Sequence, residues 1–223
     1  MRLRKIKNAQ ERLQQNDNKY YITSPESYKG KWNELFNNNN PIHIEIGCGK
    51  GQFISSLAKL NKDINYIAIE KYDSVLLRTL EKVIDLGLDN LKLINIDADS
   101  LSNYFMENEV STIYLNFSDP WPKNHHAKRR LTSPLFLEQY KRVLKNDGVL
   151  IQKTDNRHLF EYSLESFSQN GWYLSNIYLD LHKEEDVFNI TTEYEDKWSK
   201  KGPIYKLEAR LNKEAKKWVS NLR

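Results

Sequence analysis

The chain has 223 residues, 39% hydrophobic and 12% aromatic, with 34 Lys and Arg against 30 Asp and Glu for a net charge of +4. That is apolar material for one α/β domain with a full core, and it excludes a globally disordered chain. The single cysteine, Cys48, excludes an intrachain disulfide and a cysteine-based zinc site; with a charged N-terminus lacking an apolar h-region and no apolar run near the roughly 18 residues of a membrane helix, the expectation is a cytoplasmic protein with no membrane partner.

Residues 1–40 read as a basic N-terminal extension: Arg2, Arg4, Lys5, Lys7 and Arg12 stand against one acid, Glu11, and Trp32, Leu35 and Phe36 are placed to pin the segment to a core. The main domain is expected over 41–223. There the apolar runs 42–46, 64–69, 91–96, 111–117 and 148–153 have strand length and β-branched content. Helical patterns at 51–60, 73–86, 99–107 and 134–145 alternate with them, at the spacing of βα units. This predicts a doubly wound, mostly parallel α/β sheet with helices on both faces. A helix over 157–169 and two further strands at 172–179 and 204–211 follow, the last two joined by a long polar connection at 180–203. Connections that long are uncommon in a compact domain unless they have a function. Cations also cluster at 123–130 and at the C-terminus, where Lys213, Lys216, Lys217 and Arg223 stand against Glu214. Three basic patches are consistent with a phosphate-rich partner, although any one of them is equally a solvated surface.

The first strand, IHIEI, runs into Gly47-Cys48-Gly49-Lys50-Gly51. Glycines there allow a tight turn and close approach of a ligand to the main chain. A dinucleotide fingerprint requires G-x-G-x-x-G, but the third glycine comes one residue early and Gln52 holds its place. Glu45, inside the preceding strand, disfavours a phosphate and favours a cationic ligand. Glu70 closes the second strand, positioned for ribose hydroxyls, and Asp97 closes the third, where an adenine would lie. Three acids at successive strand ends fall along one crevice. Cys48 reads as a small residue in a tight turn, not a nucleophile.

Asp119 follows the fourth strand in the run NFSDPWPKNHHAKRR, with Pro120 and Pro122 stiffening the turn around Trp121. A rigid carboxylate beside an aromatic face and a basic track suits work on a nucleic-acid base. Methyltransferases acting on the amino groups of bases often carry D/N-P-P-Y/W at this point; here Trp121 stands where the second proline would be. His125 and His126 have no Cys or acid near them in sequence, so phosphate contact is expected and no metal.

These motifs, with Trp32, EIGCGKG, AIEKY, SDPWPK, KRRL, the KTD run at 153–155 and TEYE at 192–195, closely resemble the bacterial tRNA (guanine-N7-)-methyltransferases, of the class I S-adenosylmethionine-dependent superfamily. The resemblance covers most of the chain and implies a seven-stranded Rossmann-like sheet with the last strand antiparallel. It further implies S-adenosyl-L-methionine as cofactor, tRNA as partner, a monomer or homodimer, and methylation of N7 of a variable-loop guanosine. Carried over residue by residue, Glu45, Gly47, Gly49, Glu70, Asp97 and Asp119 would contact the cofactor. Lys123, Asp155, Thr192, Glu193, Tyr194 and Glu195 would contact the substrate, and His125, His126, Lys128, Arg129 and Arg130 the RNA. Asp119 is the catalytic candidate. The family loop often has Arg where His125 stands. A nicotinamide oxidoreductase and a non-catalytic RNA-binding module are the readings from other classes. The early third glycine with Glu45 argues against the first, and an acid at every strand end against the second.

Overall fold

Alternation of Ile42, Ile44 and Ile46 with His43 and Glu45 gives the first strand two unlike faces, and the whole sheet follows that division. The computed structural model describes residues 5–184 and 188–211. Arg2 and Arg4 and the C-terminal cations Lys213, Lys216, Lys217 and Arg223 lie outside them. Seven strands, β1 (Ile42–Ile46), β2 (Asn65–Ile69), β3 (Leu91–Ile94), β4 (Val110–Asn116), β5 (Leu144–Thr154), β6 (Trp172–Tyr178) and β7 (Tyr205–Leu211), form one sheet of order 3-2-1-4-5-7-6. The first five are parallel, and β7 runs antiparallel between β5 and β6. The doubly wound sheet with an antiparallel last strand is thus present.

Helices α1 (Ala9–Gln14), α2 (Trp32–Phe36), α3 (Gln52–Leu60), α4 (Asp73–Leu86), α5 (Pro134–Val143), α6 (Arg157–Gln169) and α7 (Glu193–Trp198) complete the described elements. Leu13 of α1, Phe53, Ile54 and Leu57 of α3, and Leu76, Leu77 and Leu80 of α4 share one core with Tyr66 and Tyr114 of the sheet. Trp32, Phe136, Tyr140, Phe160 and Phe167 share the other with the isoleucines of β1. No helix among the described residues is long and apolar enough to cross a membrane.

The extension folds onto this frame. Ile22 N–H donates to Leu93 O at 2.9 Å and Leu93 N–H to Tyr20 O at 2.7 Å, so the chain covers the open edge of β3. Trp32 is fully buried, stacks on Phe105 at 5.5 Å and donates its indole N–H to Tyr104 O. The helix expected at 99–107 is instead a broken pair of 3-10 turns over Ala98–Asn103, interrupted at Ser100. Asp, Ser and Asn in that stretch compete with the helical ladder for backbone hydrogen bonds. The connection at 180–203 carries a 3-10 turn at Leu181–Lys183 and α7.

Candidate active site

Between β1 and α3 the backbone turns left-handed three times, at Gly47 (φ 76), Gly49 (φ 59) and Gly51 (φ 76). A β-carbon built on Gly47 or Gly49 meets no atom within 4 Å, so their main chain faces open space. One built on Gly51 would lie 2.3 Å from Cγ2 of Thr79, whose hydroxyl donates to Gly49 O at 2.9 Å. Gly51→Ala therefore combines a left-handed alanine with a clash, and we expect a loss of roughly 2–4 kcal/mol in urea denaturation. Thr79→Ser in the same chain should return part of it; an unchanged midpoint for Gly51→Ala would contradict this account.

The turn opens on a cavity of 190 Å³ lined by Glu45, Gly47, Gly49, Gln52, Phe117 and Tyr194 among others. Glu45 is 2% exposed. One carboxylate oxygen accepts from Asn116 Nδ2 at 2.8 Å; the other is buried with no hydrogen-bond partner. Burial pushes its pKa up to about 8, against the opposing pull of Asn116 and Lys153. A buried carboxyl with one unpartnered oxygen, on the lining of a cavity and ionised only reluctantly by itself, favours a cation as its partner. Glu70, directly after β2, accepts from Gly49 N–H at 3.2 Å and Tyr72 N–H at 3.0 Å, and so ties the second strand to the glycine turn. Burial raises its pKa and these amides oppose the rise. Burial likewise pushes the Cys48 thiol well up, which suits a packing role. Asp97 is exposed and stands three residues beyond the end of β3, which stops at Ile94 and not at 96.

Asp119 also stands three residues past its strand, since β4 ends at Asn116. It is exposed, and no described residue hydrogen-bonds its carboxylate. Around it the turn is strained: Phe117 (φ 51) and Trp121 (φ 42) are left-handed without being glycine. Phe117 is held by its N–H donating to Lys153 O at 2.8 Å. Trp121 is held by Arg130, whose Nη2 and Nε donate to Trp121 O at 3.0 and 3.3 Å and whose Nε also reaches Pro120 O at 3.1 Å. The Arg130 guanidinium lies 4.3 Å from the Tyr162 ring centroid, so it braces the turn from within. Asn124–Arg129 is a 3-10 helix. Lys123, His125, Lys128 and Arg129 are exposed on it or beside it, His125 and His126 pack at 4.0 Å, and Arg129 lies over Trp121 at 4.9 Å.

The long connection lies against the glycine turn. Thr192 caps α7 by accepting from Glu195 N–H at 2.9 Å, Glu193 pairs with Lys82 and Lys50, and Gln52 donates to Asp196 at 2.8 Å. Tyr194 donates to Asp155 at 3.0 Å and packs on Phe117. Glu195 is fully buried and fully committed: Lys153 Nζ at 2.6 Å, Asn189 Nδ2 at 2.7 Å and His182 Nε2 at 3.0 Å surround it. Lys153, 2% exposed, also donates to Ile190 O at 2.8 Å and Asn189 Oδ1 at 3.1 Å. Burial lowers its pKa while Glu195 opposes that. Sequence reasoning gave Lys153, Asn116 and Phe117 no roles. A lysine inside the apolar strand LIQKT was the available signal, because a buried ammonium demands a carboxylate.

The strand order, the antiparallel β7 and a glycine turn with carboxylates at the C-terminal ends of β1 and β2 define a Rossmann-like methyltransferase fold. Solved structures of that class superpose on it. One is a SAM-dependent methyltransferase from Aquifex aeolicus, 17% identical with TM-score 0.54, covering 90% of this chain and 97% of that one. Another is an antibiotic-related methyltransferase, 17% identical with TM-score 0.61, covering 81% and 92%. Residues 39–207 match the family described as putative methyltransferase. A tRNA (guanine-N(7)-)-methyltransferase of Streptococcus agalactiae serotype III is 56% identical over 212 residues, covering 95% of this chain and all (100%) of the relative. One of Lachnoclostridium phytofermentans is 55% identical over 216 residues, covering 96% and 100%. The chain belongs to the tRNA (guanine-N(7)-)-methyltransferase family.

Proposed function

We propose that the chain transfers a methyl group from S-adenosylmethionine to N7 of a guanosine in the variable loop of tRNA, in the cytoplasm. The observation that carries the cofactor half is the unpartnered, buried oxygen of Glu45 facing a cavity floored by the bare backbone of Gly47 and Gly49. The cofactor carries a sulfonium and an ammonium but no phosphate, so an acidic cradle suits it, whereas a dinucleotide would bring phosphates against Glu45. In this reading Glu45, Gly47 and Gly49 hold its methionine end, Glu70 its ribose and Asp97 its adenine side. When bound, it supplies an electrophilic methyl.

Guanine N7 has an exposed lone pair, so no proton leaves before attack and the product purine is cationic. The site therefore needs alignment and negative charge near the base. Asp119, exposed on a rigid turn, orients the purine and stabilises its developing charge. Lys123, Asp155, Thr192, Glu193 and Tyr194 contact the substrate, with Tyr194 and Asp155 already joined at 3.0 Å. Glu195 acts through Lys153 by holding that segment in place. His125, His126, Lys128 and Arg129 meet the RNA backbone, and Arg130 keeps their loop in register.

Methyl transfer from labelled cofactor to unmodified bulk tRNA, followed by nucleoside analysis, should yield 7-methylguanosine. A different methylated nucleoside overturns the substrate assignment.

Glu45 adds a pH test. Its carboxyl sits near 8 in the folded chain against an ordinary value of 4.5. The folded state thus holds a proton that the unfolded state has lost, and this group makes stability fall as pH rises from 4.5 to 8. Glu45→Gln should flatten that part of the stability profile. A bound cation favours the ionised form, so cofactor binding at pH 7 should release a proton, visible by calorimetry in buffers of differing ionisation enthalpy. Binding without proton release would refute a direct Glu45–cation contact.

A further inference from the structure

Two residues before Asp119 and two after it, a left-handed aromatic residue starts a stack. Trp121 leads into His126 at 5.6 Å and on to His125, with Arg129 against it: the basic loop of the preceding reading. Phe117 starts the second stack. Its ring lies 5.0 Å from Tyr194, and Tyr194 lies 5.6 Å from Trp198 at an interplanar angle of 26°. Lys201 Nζ sits 4.2 Å and Lys197 Nζ 5.4 Å from the Trp198 ring. Tyr194 is 42% exposed and Trp198 partly exposed.

Charge makes this ladder more than a prop. The carboxylates of α7 are engaged elsewhere, Glu193 by Lys50 and Lys82, Asp196 by Gln52 and Glu195 by Lys153, and Asp155 after β5 is held by Tyr194. Lys197, Lys200 and Lys201 are exposed, and no carboxylate of the described residues forms an ion pair with them. Aromatic faces backed by unpaired cations are how proteins grip unpaired nucleotides without reading their sequence.

We infer that Tyr194 and Trp198 with Lys197, Lys200 and Lys201 form a second RNA contact, which stacks an unpaired nucleotide neighbouring the methylated base and neutralises its phosphates. The inference rests on tRNA being the substrate. It gives the turn around Asp119 two aromatic and cationic arms, one led by Trp121 on the 124–129 loop and one led by Phe117 on the segment around α7.

The test uses the full chain, unmodified tRNA and S-adenosylmethionine. Trp198→Ala should raise the tRNA dissociation constant about ten-fold, the loss of one base stack, and leave cofactor affinity unchanged. Trp198→Phe should bind tRNA nearly as the parent does. Lys197→Ala with Lys201→Ala should reduce the slope of log affinity against log salt by about one or more. Trp198→Ala binding tRNA as tightly as a parent that makes 7-methylguanosine overturns this inference alone. Equal loss of tRNA and cofactor affinity also overturns it, in favour of a prop for α7. A parent that neither binds nor methylates tRNA overturns the substrate reading and this inference with it.

Discussion

Asp119→Ala should lower turnover on tRNA by roughly 10²–10³-fold, the usual effect of removing one electrostatic stabiliser from a reacting centre, the role proposed for this carboxylate. Cofactor affinity should change little although the resemblance places Asp119 among the cofactor contacts, because it is exposed and does not line the cavity around Glu45, Gly47 and Gly49. Stability changes little as well, since no described residue hydrogen-bonds this carboxylate and exposed substitutions usually stay within about 0.5 kcal/mol. Asp119→Asn separates the two parts of the role. It keeps a hydrogen-bonding group on the same strained turn and removes the negative charge, so turnover should fall nearly as far as with alanine. Single-turnover kinetics with saturating cofactor would measure this. Near-parental turnover in the asparagine variant would show that charge stabilisation is not what Asp119 provides.

Lys153→Met should destabilise the fold by about 3–5 kcal/mol. The side chain volume is largely kept, but Glu195 stays behind at 0% exposure with its main counter-charge gone. Asn189 and His182 still reach the carboxylate at 2.7 and 3.0 Å, but neither brings the full charge of the ammonium. The segment from Asn189 to Glu195 loses its anchor on β5, so cofactor and tRNA affinity should both fall before global unfolding. Adding Glu195→Leu should recover much of the stability, because an apolar pair replaces an uncompensated buried charge. Denaturant midpoints of the single and double variants decide the matter. A loss below about 1 kcal/mol in Lys153→Met would mean that Glu195 is held neutral or rehydrated without the lysine.

What the sequence showed and what it hid divide along one line. Gly47, Gly49, Glu45 and Glu70 lie within a few residues of a strand end, so strand periodicity alone places them at one edge of the sheet. The turn at Asp119 was also legible, because two prolines around an aromatic restrict the backbone locally. Its exact reach was not: β4 stops at Asn116, and the left-handed turns at Phe117 and Trp121 depend on Lys153 O and on Arg130. Arg130 reads in sequence as one more cation of a basic track, yet its guanidinium is spent on the carbonyls of Pro120 and Trp121.

The sequence by itself determined the alternation of strands and helices from residue 42 onward, the doubly wound class, the glycine turn and the row of acids, all set by local periodicity and by residues with restricted backbones. Only the tertiary structure decided that residues 20–22 cover the edge of β3, that Lys153 meets Glu195 across 42 residues, and that Phe117 packs on Tyr194. Each of those contacts joins segments far apart in the chain, and burial selects such partners only after the sheet has brought them together.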